Sequence, residues 1–330
     1  MNRLQAALTL RILCALTAIG ALGTIASCAD APIQRAAGVE RLYVLFCGEG
    51  TAADRSRWSP GVDVGKPITL ANSCYLIKHA KGWMLWETGF NESIATMKDG
   101  FPTPVLHWRW NAHKSLTGQL ADLGLKPADI SHLGFSHAHQ DHIGGAEMIQ
   151  KRYGPRVVMS GPDWDLVEKV PKRFTSMAPK RDVVGTDGMK ITLGESTVTM
   201  WFTPGHTDGT LSFTFQVLDK GRPLNVVYSG GTALVYEYTD PAWGIKNMQT
   251  YINSQRHLAA KAKETGATVL LSNHSEFDEA VKKNRMLAGR GNGPHPYEIG
   301  ADWVARYFAV TENCARATQL KLEQLQGQAR

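Results

Sequence analysis

Short runs of apolar and β-branched residues recur along the first part of the chain and predict β-strands. Residues 41–46, 74–78 and 83–86 have this pattern, and Lys81-Gly82 between the last two predicts a hairpin turn. Residues 48–67 are rich in Gly, Pro and Ser and predict a long loop. The pattern therefore predicts strands joined by turns and loops.

After these strands the apolar residues take a helical spacing. Leucines three and four positions apart predict a helix over residues 111–123, with Asn111 as its N-cap. Strand and helix patterns then alternate, in the order 131–135, 146–153, 156–159 and 163–170. This alternation is typical of an α/β fold.

The second half of the chain predicts a second sheet. Its β-rich runs, separated by Gly and Pro, are residues 191–193, 197–202, 211–217 and 224–228. Helices are predicted around residues 250–263 and over 301–326, with a strand at 268–271 between them. Because each half supplies strands and helices, we expect an α/β fold in which two sheets pack face to face with helices outside, a four-layer αββα sandwich.

The first 27 residues have the features of a secretory signal peptide. Arg3 and Arg11 carry positive charge without any acid, and the apolar stretch at 12–26 is short for a membrane span. The sequence Ile-Ala-Ser-Cys that ends at Cys28 is similar to a bacterial lipobox, in which that cysteine is lipidated. Ordinary signal cleavage between residues 26 and 31 is the alternative.

Processing at this point would divide the chain into three parts. These are a signal peptide of lipoprotein type at 1–27, a short linker at 28–40 and a single domain at 41–330. We therefore expect an exported protein, either periplasmic or anchored to a bacterial membrane through lipid.

Composition and charge narrow the classes of function. The 330 residues are 43% hydrophobic and 20% charged, as in a globular protein, and the length allows one large domain or two small ones. The net charge is +6, and removal of residues 1–27 takes away two arginines and no acids, which leaves +4. No basic run accompanies this mild excess, so we expect no nucleic-acid partner.

Two of the cysteines raise the question of a disulfide. Export permits one, and Cys47 with Cys74 would be the pair. Both lie in apolar, strand-like runs, where buried free cysteine is common. The sequence therefore favours free thiols.

The densest chemical motif is Ser-His-Ala-His-Gln-Asp-His-Ile-Gly-Gly at 136–145. Four potential metal ligands fall within six residues, namely His137, His139, Asp141 and His142. An apolar run at 130–135 precedes them, so a strand would end there and release these side chains into a short loop. Imidazole and carboxylate together suit zinc or a similar first-row ion. The spacing favours a metal site over a polar loop with unrelated histidines.

Two further histidines follow predicted strands in the second half. His206 lies in the sequence Thr-Pro-Gly-His-Thr after the strand at 197–202, and His274 follows the strand at 268–271. Each half of the chain thus supplies ligands at strand ends. We expect the metal site at one edge of the two sheets.

These motifs resemble the metallo-β-lactamase superfamily. HAHQDHIGG at 137–145, TPGHT at 203–207 and the strand-terminal His274 occur in the family's order. The tract ANSCYLI, which ends at residue 77, and WETG at 86–89 match as well. The resemblance covers residues from about 41 to 280 and implies the same sandwich fold.

Two branches of the superfamily are similar to different parts of the chain. Residues 41–90 and the tract LGLKPADISHLGFSHAHQDH resemble acyl-homoserine-lactone lactonases. The tract TPGHTDGTLSFTFQVLDKGRPLNVVYSGG, the His274 region and the C-terminal helix are more similar to the third subclass of true metallo-β-lactamases.

The resemblance implies two sets of three zinc ligands. The first set is His137, His139 and His206, and the second is Asp141, His142 and His274. Three protein ligands with an open position is the catalytic pattern for zinc.

Two positions depart from the family pattern. In the lactonases an Asp bridges the two metals, and Gly231 stands in its place here. We therefore expect two zinc ions of which the second binds more weakly, because two nearby dications repel each other; a one-metal enzyme is the alternative. Glu87 stands where the superfamily usually has Asp, and we expect it to accept an imidazole N–H from a ligand.

The function implied by this resemblance is that of an exported zinc-dependent hydrolase. Metal-bound hydroxide would attack the carbonyl of a lactone or carboxylic ester in a small molecule, with Asp141 and His142 as catalytic residues and Asp141 orienting the hydroxide. Hydrolysis of a β-lactam amide is the alternative reaction, and the ligand set supports it. A non-catalytic envelope lipoprotein stabilised by metal is the alternative of another class.

Aromatic residues near the motifs are candidates for a substrate pocket. They are Trp108, Trp110, Tyr236 and Tyr238. Either tyrosine would be a donor to an oxyanion. Aromatic side chains pack in cores more often than they bind ligands, so ordinary packing is the alternative for all four.

Overall fold

The computed structural model describes residues 41–58, 61–79, 81–110, 114–194, 196–234 and 239–328. The predicted signal peptide, Cys28 and the linker at 28–40 lie outside these residues. None of the helices in the described ranges has the length and apolar content needed to cross a membrane.

The first sheet comes from the first half of the chain and has eight strands within the described residues. They are β1 (Arg41–Ala52), β2 (Ile68–His79), β3 (Gly82–Trp86), β4 (Phe101–Pro102), β5 (His107–Arg109), β6 (Ile130–Gly134), β7 (Arg156–Ser160) and β8 (Val183–Gly185). Their order is β4-β5-β1-β2-β3-β6-β7-β8. Neighbours from β4 to β3 are antiparallel, whereas β3, β6, β7 and β8 run parallel. The sheet is therefore mixed.

The second sheet comes from the second half and has five strands in the described part. They are β9 (Lys190–Leu193), β10 (Ser196–Phe202), β11 (Leu211–Asp219), β12 (Arg222–Ser229) and β13 (Val269–Ser272). Their order is β13-β12-β11-β10-β9, with β12 and β13 parallel and the other pairs antiparallel.

Helices connect these strands. They are α1 (Leu116–Asp122), α2 (Gln140–Ile143), α3 (Ala146–Tyr153), α4 (Gly161–Lys169), α5 (Pro241–Glu264), α6 (Ser275–Asp278), α7 (Ala280–Ala288) and α8 (Ala301–Gln328). α3 has the bounds that the sequence pattern predicts. α5 begins earlier than predicted. Asp240 caps the helix by accepting from the Trp243 N–H, and Pro241 is compatible with its first turn, where a backbone N–H is not needed.

Central strands of both sheets are buried on both faces. On β2, Leu76 packs with the helices α1, α3 and α4, while Tyr75 and Ile77 pack against the second sheet. On β12, Tyr228 faces the first sheet and Val227 faces α5 and α8. Because side chains alternate along a strand, each central strand contributes to two hydrophobic layers. The predicted αββα sandwich is confirmed.

Further predicted boundaries are wrong, and two of them have clear causes. Residues 48–52, predicted to begin a loop, continue β1 after a register shift between Phe46 and Glu49. Helix α1 is capped by Ser115, whose side chain accepts from the Gly118 N–H, and begins after the predicted Asn111, which lies outside the described residues. The first boundary differs because β2 supplies backbone hydrogen bonds to residues 49–52, and the second because Ser115 provides the side-chain cap.

The prediction of free thiols at Cys47 and Cys74 is also wrong, because they form a disulfide. β1 and β2 pair antiparallel, which brings the two Cα atoms to 5.8 Å. An apolar surrounding suits a buried half-cystine as well as a free thiol, so burial could not distinguish the two. Closing a loop of this length stabilises a fold by about 3 kcal/mol. The bond is consistent with an exported protein.

Candidate metal centre

Three strand ends bring the predicted ligands together. β6 ends at Gly134 and leads into the motif at 137–142, the β10–β11 loop carries His206, and His274 follows β13. The Leu211 N–H donates to the Ser136 carbonyl at 2.7 Å, which ties the end of β6 to the start of β11. The six predicted ligands consequently lie in two clusters, each with its ligand atoms within 4.8 Å of one another.

The first cluster is a triangle of imidazole nitrogens. His137 Nε2 lies 3.1 Å from His139 Nδ1 and 3.1 Å from His206 Nε2, and His139 Nδ1 lies 3.2 Å from His206 Nε2. Tetrahedral zinc with bonds of about 2.0–2.1 Å to nitrogen separates its ligands by roughly 3.3 Å. The triangle therefore fits one zinc ion.

The other nitrogens of two of these rings are held by backbone. His137 Nδ1–H donates to the Gly230 carbonyl at 3.0 Å, and His206 Nδ1–H donates to the Ala233 carbonyl at 2.7 Å. These bonds select the tautomer whose Nε2 lone pair points at the triangle.

The second cluster combines one carboxylate and two imidazoles. Asp141 Oδ2 lies 3.5 Å from His142 Nε2 and 3.6 Å from His274 Nε2. Asn72 holds Asp141 by donating to the same oxygen at 3.2 Å. The rings of His137 and His142 are 4.3 Å apart, so the two clusters are neighbours.

Glu87 lies where the sequence predicts a supporting residue. Its Oε1 accepts from the Ser136 N–H at 2.8 Å and the Tyr228 hydroxyl at 3.0 Å. Its Oε2 lies 3.5 Å from His142 Nδ1, and both atoms are buried without a formed hydrogen bond among the described residues. A hydrogen bond between these two atoms would leave His142 Nε2 for the second cluster.

Burial sets the protonation of the site. It lowers the pKa of His139 to about 4 and that of His142 to about 3, because an imidazolium is costly away from water. The rings are therefore neutral near pH 7, which is the form that binds metal. Burial also raises the pKa of Glu87 to about 8 and that of Asp163 to about 7.

Asp163 is a site residue that the sequence reasoning missed. This buried carboxylate at the start of α4 accepts from the Thr207 hydroxyl at 3.2 Å and from the Ala138 N–H. Ala138 lies between two ligands and Thr207 follows a third, so Asp163 ties together both loops of the first cluster. An acidic residue in the first turn of a helix is common, so the sequence gives no sign of this role, which only the burial of Asp163 reveals.

Replacing Asp163 by Ala is expected to lower the affinity of the first cluster for zinc about 10- to 100-fold, because both ligand loops lose their common acceptor. Competition against a chelator measures this affinity, and thermal unfolding of the metal-free protein separates it from a folding defect. Asp165→Ala is the control, since Asp165 is exposed on the same helix and pairs with Arg181. Zinc affinity equal to that of the unmodified protein in Asp163→Ala would rule out the positioning role.

Gly231 packs so closely against His206 that a side chain at this position would force its neighbours to move. A Cβ there would lie 2.5 Å from His206 Cβ, 2.9 Å from His206 Cγ and 3.1 Å from Thr210 Cγ2. The ring of His206 therefore fills the space beside Gly231. A carboxylate side chain at position 231 would displace His206, so glycine there is what allows His206 to pack as it does.

Of the four aromatic candidates, the two tryptophans lie within the described residues. Trp108 is buried against Phe90, with ring centroids 4.9 Å apart, and Trp110 Nε1 donates to the Asn91 carbonyl at 3.3 Å. Neither lines the cavity of about 680 Å³ that opens between the β1–β2 connection and α8. Tyr236 and Tyr238 lie outside the described residues.

Comparison with known proteins connects this site to one family. The family model described as Metallo-beta-lactamase superfamily matches residues 68–218. The N-acyl homoserine lactonase AttM of Azorhizobium caulinodans is 26% identical over 238 residues, which are 68% of this chain and 88% of that protein.

Solved structures show the same fold. The FEZ-1 metallo-beta-lactamase of Legionella gormanii has a TM-score of 0.62 at 21% identity and covers 86% of this chain and 95% of its own. The class B3 di-zinc metallo-beta-lactamase LRA-12 from an Alaskan soil metagenome has a TM-score of 0.57 at 18% identity, over 76% of this chain and 90% of its own.

Proposed function

We propose that this chain, in which residues 68–218 match the metallo-beta-lactamase superfamily, is an exported zinc-dependent hydrolase of lactones or carboxylic esters. The observation that carries the proposal is the pair of ligand clusters, His137, His139 and His206 beside Asp141, His142 and His274. When bound, zinc supplies an activated water at neutral pH and polarises a carbonyl.

Asp141 and His142 are the residues of the chain that we assign to the reaction. Asp141 is anchored by Asn72 and lies between the His142 and His274 rings, so its carboxylate is placed to orient a water nucleophile and to accept its proton. Glu87 Oε2 lies 3.5 Å from His142 Nδ1, which supports a role for Glu87 in orienting this ring towards the second cluster. These contacts support Asp141 and His142 as the catalytic residues.

The choice of lactone or ester rests on the similarity to AttM, whose name describes an N-acyl homoserine lactonase. A second reaction, hydrolysis of a β-lactam, is supported by a different observation. Six ligands are present without a bridging carboxylate at Gly231, which is the arrangement that the resemblance to third-subclass enzymes implies.

Substrate preference is expected to favour an acyl-homoserine lactone or an aryl ester over a carbapenem. Initial rates of zinc-reconstituted protein on these three compounds measure this, and the metal-free protein is the control. A dominant rate on the carbapenem would replace the proposed reaction by lactam hydrolysis. Inactivity of fully loaded protein on all three, and on a phosphoester, would favour a non-catalytic metal-stabilised lipoprotein.

Localisation completes the proposal. The Cys47–Cys74 disulfide supports an oxidising compartment, and we place the protein in the periplasm or on a bacterial membrane, with Cys28 as the lipidated residue in the second case. Its partner is a small molecule with an ester, lactone or lactam carbonyl, and no nucleic acid is involved.

A further inference from the structure

The cavity of about 680 Å³ has an apolar wall on each side. Trp58, Ile68 and Leu70 form one wall, and α8 forms the opposite one. Its volume is in the range of small-molecule sites, which are mostly apolar with a few polar groups.

Helix α8 divides its surface between the fold and the cavity. Five of the residues that line the cavity recur three or four positions apart, namely Tyr307, Val310, Cys314, Ala317 and Lys321, and Thr311 and Thr318 of α8 line it as well. The buried residues Phe308, Ala315 and Leu322 instead pack in the clusters that contain α5. Residues at this spacing share one face of a helix, so this face of α8 lines the cavity, and among these residues Tyr307 also packs against the cluster that contains Val227. Val310 is accordingly 60% exposed.

The inner end of the cavity adjoins both ligand clusters. Ala233 lines the cavity, and its carbonyl accepts the His206 Nδ1–H bond at 2.7 Å. Phe277 also lines it, and its ring centroid lies 6.3 Å from that of His274. One ligand of each cluster therefore contacts a residue that lines the cavity.

Polar groups in the wall are engaged by the protein. The Tyr251 hydroxyl donates to the Thr232 carbonyl at 2.7 Å, and both oxygens of Glu276 accept from the Ala71 N–H at 3.1 and 3.0 Å. A ligand group inside the cavity therefore meets apolar surface. The charged side chains of Arg55 and Lys321 are exposed.

We propose that this cavity binds the apolar acyl chain of the substrate while its carbonyl lies at the two histidine clusters. The inference rests on the proposed hydrolase function for the position of the carbonyl. It assigns chain-length preference to α8 and to the β1–β2 connection, two segments outside the metal-binding motifs.

Chain length is the first test. Each methylene buried in the cavity is expected to raise kcat/KM about fourfold, so decanoyl esters or lactones should exceed butanoyl ones until the cavity is full. Ala317→Trp, which fills the cavity from an exposed position, should remove this preference, so that decanoyl and butanoyl compounds are turned over with similar kcat/KM. Ala309→Trp is the matched control, because Ala309 is exposed on the same helix and does not line the cavity.

Thiol labelling tests the cavity without any turnover. Among the described residues Cys314 is the free cysteine, and it lines the cavity. Decanamide, which has the acyl chain but a poorly hydrolysed amide, should slow alkylation of Cys314, whereas butanamide should not. Cys314→Ser identifies any label at other positions.

The two tests separate the two proposals. Protection by decanamide with no hydrolysis of any ester or lactone would retain the cavity assignment and reject the hydrolase function. Hydrolysis that is independent of chain length, together with unprotected Cys314, would retain the function and overturn the cavity assignment.

Discussion

Replacing His139 by Ala is expected to abolish turnover while leaving the fold largely intact. His139 is half-buried, and its ring contacts are with His137 and His206, so its removal opens the first cluster without disturbing the core. Metal catalysis contributes several kcal/mol to the transition state. Since 1.36 kcal/mol is a factor of ten, kcat/KM should fall by at least about 10³-fold.

Replacing Asp141 by Ala distinguishes the role of the second cluster from that of the first. Asp141→Ala is expected to abolish turnover as well, but it should keep metal at the triangle of His137, His139 and His206, which it does not touch. Steady-state kinetics with metal counting by native mass spectrometry measures both effects. His132→Ala is the control, because His132 lies on β6 outside both clusters. Activity retained in either variant would contradict the ligand assignment.

Gly231→Asp is expected to reduce zinc binding and thermal stability, although an Asp bridges the metals in the lactonases that the first half of the chain resembles. The Cβ alone would lie 2.5 Å from His206 Cβ, so the ring must move out of the triangle. Overpacking of this kind costs about 1–3 kcal/mol. The unmodified protein should bind two zinc equivalents under saturation, the second more weakly, and the variant fewer.

Gly231→Ala distinguishes crowding from charge. If crowding of His206 decides, Ala and Asp should both lower the zinc content measured by mass spectrometry and the melting temperature. If the carboxylate decides, Ala should resemble the unmodified protein and Asp should strengthen the second site. The latter result would contradict the steric explanation, and a single tight equivalent in the unmodified protein would contradict the two-metal proposal.

Local patterns predicted the elements well where the signal is contained in the element itself. The strand at 83–86 is observed as Gly82–Trp86, and the helix at 146–153 is observed as Ala146–Tyr153. A period of two or of 3.6 residues depends on which faces are buried, and that information is present in each short segment.

Features that depend on contacts between distant segments were not predictable in this way. The disulfide depends on the pairing of β1 with β2, and the role of Asp163 depends on two loops that meet at the start of α4. The cavity at α8 likewise exists because that helix packs by its other face.

The sequence by itself determined the four-layer order of the fold and the six candidate ligands, because strand periodicity, the H-x-H-x-D-H spacing and the histidines that follow predicted strands are local properties, and the family resemblance sorts them into two sets. Only the tertiary structure decided that Asp163 ties two ligand loops together, that Cys47 and Cys74 are joined, and that Gly231 leaves space for His206. Those outcomes depend on which strand ends meet at the edge of the two sheets. That meeting is a property of long-range packing.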